Sequence, residues 1–163
     1  MTLSTRFPIV LALVLGLSGC GLFGGSRSDD PATPDAPPAR ELATVEFEGT
    51  DTMNAGGNAA RVYLYALTSD ATFLSTPVQV FWDDPVATLG SDLVGTPRDA
   101  TVRPDDATTL DDLSIGTAAF LGIAVDLRDP EGTSWRTVLP ASEVKGKTLH
   151  VTVTENGLQV VSR

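Results

Sequence analysis

One thiol, one imidazole and 21 carboxylates are the groups best placed to do chemistry in this chain of 163 residues. Three adjacent carboxylate pairs, Asp83-Asp84, Asp105-Asp106 and Asp111-Asp112, invite a general acid/base reading. Neighbours along a strand point to opposite faces, so such pairs do not share a substrate atom, and turn or cap duty accounts for each. Asp126, Asp129 and Glu131 imitate a calcium loop only loosely, since the alternating acidic ligands of that motif are missing. His150 lies between Leu149 and Val151 on the outward face of a strand, without a second ligand in view. Trp82 and Trp135 read as packing residues. No phosphate-cradling glycine loop, nucleophile elbow or metal-ligand spacing occurs. With one Cys and one His, zinc fingers, disulfide scaffolds and Cys/His catalysis are excluded. The expectation is a protein with no catalytic, cofactor-binding or metal-binding residues, and not an enzyme.

The single cysteine has a different chemistry. Arg6 precedes a short apolar run, Pro8 to Leu17, which is half the roughly 20 residues needed to cross a bilayer and suits a signal peptide. Leu17-Ser18-Gly19-Cys20 resembles the bacterial lipobox, in which small residues let the peptidase approach and the thiol takes the diacylglyceryl group. Residues 1–19 are therefore expected to be removed and Cys20 to carry the lipid. Several acyl chains together hold a protein at a membrane permanently, where one chain holds it only marginally. Gly21 after the cysteine, in place of Asp, favours the outer membrane.

Residues 21–40 are dominated by Pro, Gly, Ser and Asp, too polar to offset the entropy of ordering, and read as a disordered tether. Such a tether reaches about 65 Å when stretched and about 25 Å as a coil. Removal of Arg6 with the signal leaves 10 basic against 21 acidic residues, a net charge of −11, which repels nucleic acid.

The elements that must position any surface site begin at Glu41. Val45 and Phe47 alternate with Glu46 and Glu48. Val62, Leu64 and Ala66 alternate with Tyr63, Tyr65 and Leu67, apolar on both faces, as a central strand requires. Leu121, Ile123, Val125 and Leu127 form another inward row. Asp129-Pro130-Glu131-Gly132 reads as a type I turn into a strand with Trp135, Thr137 and Leu139. Leu149, Val151 and Val153 return through an Asn156-Gly157 hairpin to Leu158 and Val160. Seven or eight such strands predict a mainly β protein, a two-sheet antiparallel sandwich over 41–163. Between about 70 and 93 the alternation fades. Ser69 or Asp70 caps one short helix there, and Asp83-Asp84-Pro85 opens a second that stops near Gly90.

The run from Arg61 to Leu74 (RVYLYALTSDATFL) resembles the strand-then-helix signature of the outer-membrane lipoproteins of type VI secretion, the TssJ/SciN/VasD family. The likeness continues through Phe81-Trp82-Asp83-Asp84-Pro85, Thr88 to Leu93, Val102-Arg103-Pro104, Leu127-Arg128-Asp129 with Trp135-Arg136, and Lys145 to Leu149. It implies a transthyretin-like sandwich with a helical insertion after the second strand, in an outer-membrane protein facing the periplasm. It also implies a partner, the periplasmic C-terminal domain of a TssM-like inner-membrane protein, contacted by the loop between the first two strands. Here that loop is Thr50, Asp51, Thr52, Met53, Asn54, Ala55, Gly56, Gly57 and Asn58. Asn54 matches the Asn of an Asn-Pro that the family often shows; Ala55 replaces the Pro. The competing expectation is an envelope lipoprotein whose sandwich binds peptidoglycan or another glycan, which would want exposed aromatics on a sheet face.

Overall fold

The computed structural model describes residues 42–163; the expected signal peptide, Cys20 and the tether lie outside the described residues. Among the described residues, eight strands form two four-stranded sheets. One has the order β4-β1-β7-β8, built from Ala107–Leu113, Ala43–Gly49, Thr148–Val153 and Leu158–Ser162. The other has the order β3-β2-β5-β6, built from Arg98–Val102, Ala60–Leu67, Phe120–Asp126 and Arg136–Pro140. All strand pairs are antiparallel except β1 with β7, which run parallel from Thr44↔Thr148 to Gly49↔Val153.

The period-two rows become the core. Val45 and Phe47 of β1, Val62 and Leu64 of β2, Leu121, Ile123 and Val125 of β5, and Leu149, Val151 and Val153 of β7 are all buried. The two-sided apolar strand is central, flanked by β3 and β5. Its other face, Tyr65 and Leu67, is covered by the insertion of three short helices, Ala71–Ser75, Val78–Asp83 and Pro85–Leu89. Phe73, Phe81 and Trp135 are each no more than 1% exposed; Phe73 and Phe81 pack against each other and Tyr65, with Phe81 edge-on to Tyr65 at 5.6 Å, and Trp135 packs on Phe81. Gly122 makes room for them: a Cβ there would stand 2.9 Å from Leu67 and 3.2 Å from the Phe73 ring. Burial pushes the Tyr65 phenol well above its ordinary pKa.

From β6, the guanidinium of Arg136 donates to the carbonyls of Phe73, Leu74 and Thr76, the last at 2.7 Å. Those carbonyls are the open C-terminal end of the first insertion helix, where a cation is favoured. The same group lies 4.5 Å over the Trp135 ring, and its burial lowers its pKa.

Several local expectations change in detail. The helix Val78–Asp83 had no sequence signal, because it starts after Pro77 without a side-chain capping bond. The hydrogen-bonded turn before β6 lies two residues later than expected, Ser134 N–H donating to Glu131 O at 2.9 Å, with Gly132 at φ 55°. Residues 154–157 link β7 to β8, closing with Val153 opposite Leu158. Gly157 serves there by close approach, since a Cβ would meet Ser134 at 2.7 Å.

Candidate docking site

At the end of the sandwich where β1 stops, residues 50–59 fold into a tight left-handed turn. Asn54, Ala55, Gly56 and Gly57 follow one another at φ 49°, 57°, 91° and 84°. The turn closes on itself, Gly57 N–H donating to Met53 O at 2.8 Å and Gly56 N–H to Thr52 O at 3.1 Å. Left-handed backbone costs non-glycine residues about 1–2 kcal/mol each, so the turn persists only because its surroundings hold it.

Two side chains do that. Met53 is fully buried under the end of β1, against Gly49, where any Cβ would strike its sulfur and the Arg103 carbonyl. Asn54 is 4% exposed, the one buried polar residue among the described residues. Its Nδ2 donates to Ala59 O and its Oδ1 accepts from Arg128 N–H, both at 2.7 Å. Asn54 thus closes its own loop and ties it to the β5–β6 connection. The Asn54 and Ala55 N–H groups donate to Thr154 O and Glu155 O at 3.2 and 3.3 Å, fastening the turn to the β7–β8 connection. Asn58 Nδ2 donates to the Asn54 and Ala55 carbonyls at 3.1 and 3.0 Å.

The burial of Met53 and Asn54 narrows what the loop presents to solvent. Asp51, Thr52, Ala55, Gly56 and Ala59 face solvent, and Thr50, Gly57 and Asn58 are half-buried. Around them stand Asp105, Asp106, Asp129, Glu131 and Glu155, against Arg103 and Arg128, so this end is acidic. Ala55 at φ 57° also explains the departure from Asn-Pro: proline is locked near −65° and cannot take this path.

Four of the other singled-out carboxylates have structural posts. Asp84 Oδ1 accepts from Ala87 N–H at 2.9 Å, capping a helix with Pro85 in its first turn. Asp105 turns the β3–β4 corner at φ 54°. Asp112, at φ 56°, sits in a bulge where Ala43 and Val45 of β1 face Leu113 and Leu110. Asp111 accepts from the Thr44 hydroxyl at 3.3 Å. His150 is on the outward face, as its alternation required, but has a neighbour: its Nδ1 lies 3.0 Å from Glu46 Oε2. Asp126, Asp129 and Glu131 form no ligand cluster; among the described residues no three His, Cys, Asp or Glu side chains could hold a metal ion. No helix among the described residues is long and apolar enough to cross a membrane.

The class the fold defines is a two-sheet β-sandwich with a helical insertion after its second strand and a held turn after its first. Residues 41–156 match the family described as type VI secretion lipoprotein, VasD, EvfM, TssJ, and the chain belongs to it. Among solved structures it is similar to the type VI lipoprotein TssJ1 from Pseudomonas aeruginosa, at 23% identity and a TM-score of 0.66, over 76% of this chain and 97% of that one. It is also similar to a chain of a type VI membrane complex, at 20% identity and TM-score 0.67, over 74% and 98% of the two chains. A third similar chain comes from a structure described as the TssM C-terminal domain from EAEC, at 19% identity and TM-score 0.64, covering 74% and 97%. No curated protein sequence matches.

Proposed function

We propose that this chain is a non-enzymatic anchor of a type VI secretion membrane complex. Signal residues 1–19 are removed, Cys20 is acylated and held in the outer membrane, and residues 21–40 tether the 41–163 domain in the periplasm. The acidic end carrying loop 50–59 docks onto the periplasmic C-terminal domain of a TssM-like inner-membrane protein. The observation carrying this reading is the turn itself: a strained backbone, pegged by Met53 and Asn54 so that Asp51, Thr52, Ala55 and Gly56 are presented in one fixed shape. Residues that bind partners concentrate on loops that a rigid scaffold holds, and a preformed loop avoids the ordering cost of binding. Family membership, and the similarity to a chain of a type VI membrane complex and to a chain from a structure described as the TssM C-terminal domain, support the choice of partner. The carboxylates around the turn favour a basic patch on that partner, which speeds encounter more than it tightens binding.

Replacing residues 52–58 wholesale would remove the Met53 and Asn54 pegs together with the surface. The sharper test is Asp51→Arg with Thr52→Arg and Ala59→Arg, three exposed positions. Calorimetry against the TssM-like periplasmic domain should then show binding lost while the unfolding midpoint stays. Unchanged affinity would place the interface elsewhere. For the anchor, Cys20→Ser should abolish incorporation of radiolabelled palmitate.

A further inference from the structure

A second surface stands apart from the loop, on the outer face of the β3-β2-β5-β6 sheet beside the insertion. There the aromatic cluster emerges from the core: Phe81 and Trp135 are fully covered, whereas Trp82 and Tyr63 are half-buried. Their rings touch at 5.4 Å, tilted by 53°, and form one side of a cleft of about 340 Å³. Pro85 and Val86, at the start of the third insertion helix, and Pro97 before β3 complete its walls. Val86 is 53% exposed, so the wall is open. Asp99 and Asp126 stand at the rim.

The lining chemistry selects the ligand. Three aromatics, Tyr63, Tyr65 and Trp82, with two prolines and a valine make a largely apolar surface whose side-chain donors are the two phenols and the Trp82 indole. Such a surface suits the pyrrolidine rings of an extended proline-rich chain, which arrives with little conformational entropy to lose and offers its carbonyls as acceptors. A sugar could lay one face on the Tyr63–Trp82 pair, but Pro85, Val86 and Pro97 offer its hydroxyls no partner, which favours the proline-rich chain.

The rim adds a charge. The chain's own Arg61 shows how this surface treats a guanidinium: it lies 5.4 Å over the Tyr63 ring while its Nε bonds Asp99 Oδ2 at 2.8 Å. Asp126, the cross-strand neighbour of Arg61, makes no ion pair among the described residues. Trp82 and Asp126 line the same cleft, so a ring and a carboxylate, the two kinds of group that hold Arg61, stand together for an incoming cation. The described residues carry 8 basic against 17 acidic side chains, which favours the same sign of partner.

We propose that this cleft binds an extended, proline-rich segment bearing Arg or Lys from another polypeptide. The proposal is independent of loop 50–59, so a chain with the loop substitutions should still bind such a segment. The test uses the full chain in detergent micelles and a fluorescent peptide of four Pro-Pro-Arg repeats, read by anisotropy. Saturable binding is expected, at least about tenfold tighter than to four Gly-Ser-Arg or four Pro-Pro-Glu repeats. Val86→Lys, at an exposed position, should weaken it about tenfold, and Asp126→Asn should weaken it less and flatten its salt dependence, both with the unfolding midpoint unchanged. Four results would overturn the proposal: no saturation, equal affinity for the Gly-Ser-Arg peptide, no effect of Val86→Lys, or displacement of the peptide by a soluble peptidoglycan fragment. A gain in affinity when Pro34, Pro37 and Pro38 of the full chain are changed to Ser would make the occupant this chain's own segment, and would equally overturn it.

Discussion

The loop at 50–59 and the insertion at 71–92 both interrupt the succession of strands, and they are held by opposite means. The insertion is a second core. Phe73, Phe81 and Leu89 are buried against the outer face of a sheet, and most of the holding force is apolar area removed from water. The loop buries two side chains, Met53 and Asn54, and depends on directed bonds from Asn54 and from backbone N–H groups to the neighbouring connections. Apolar packing is non-directional, so it fixes that an element is attached more firmly than how it is shaped. Hydrogen bonds at 2.7 Å fix shape. A surface that must meet a partner in one geometry is better held by the second means, and an element that closes off a core by the first.

The largest effects should therefore come from the insertion. Phe81→Ala removes a ring that touches Tyr65, Phe73, Trp82 and Trp135, and should cost about 3–5 kcal/mol. Urea unfolding should show one transition at a lower midpoint, because the insertion and the sheet share one cluster. A separate early transition would make the insertion an independent unit and break the comparison.

Arg136 should come next. Three helix-end carbonyls accept from its guanidinium, and hydrogen bonds to a charged group contribute about 1.5–3 kcal/mol. Arg136→Ala should lose about that much. Arg136→Lys should recover only a fraction, since one ammonium cannot reproduce a planar fork over Trp135. Equal stability of Arg136→Lys and the original would show that charge alone closes the helix.

How far each region was legible follows from the same contrast. The insertion was visible because its signals are local: the two-sided apolar run of β2 announces a covered outer face, and Asp84 with Pro85 writes a helix start into adjacent residues. Even there, the helix Val78–Asp83 was silent, since burial of Phe81 holds it and no cap marks it. The loop was legible as a loop, through its two glycines, but its shape was not. Asn54 takes its role from Arg128, 74 residues away, and a buried Asn looks in sequence like any turn residue. The parallel pairing of β1 with β7 is equally non-local, so alternation revealed both strands and could not reveal their relation.

Asn54→Ala tests the loop's directed bonding. It removes a donor to Ala59 O and an acceptor for Arg128 N–H, two part-buried bonds, for a cost of about 1–2 kcal/mol, smaller than Phe81→Ala. Its effect on docking should exceed its effect on stability: hydrogen exchange should quicken at residues 53–58 and at Arg128, and affinity for the TssM-like domain should fall, while the insertion stays protected. Loss of protection across the whole domain would mean that Asn54 serves the core instead.

The smallest expected effect is also the one of opposite sign. Ala55 is exposed and held at φ 57°, where a Cβ crowds the following carbonyl. Glycine takes that conformation freely, although it also gains freedom in the unfolded chain. Ala55→Gly should therefore raise stability by up to about 1 kcal/mol through relief of backbone strain alone. Proline at the same position cannot reach this φ and also lacks the N–H that bonds Glu155 O, so Ala55→Pro should abolish the present turn. The pair separates shape from strength. Phe81→Ala should weaken the fold and leave the loop's shape intact, whereas Ala55→Pro should cost at least as much as Asn54→Ala, keep a single core transition, and change the proposed docking surface. If Ala55→Pro instead bound the TssM-like domain as well as the original, the left-handed turn would be incidental to docking, and the contrast between a core held by area and a surface held by geometry would fail at the point where it matters most.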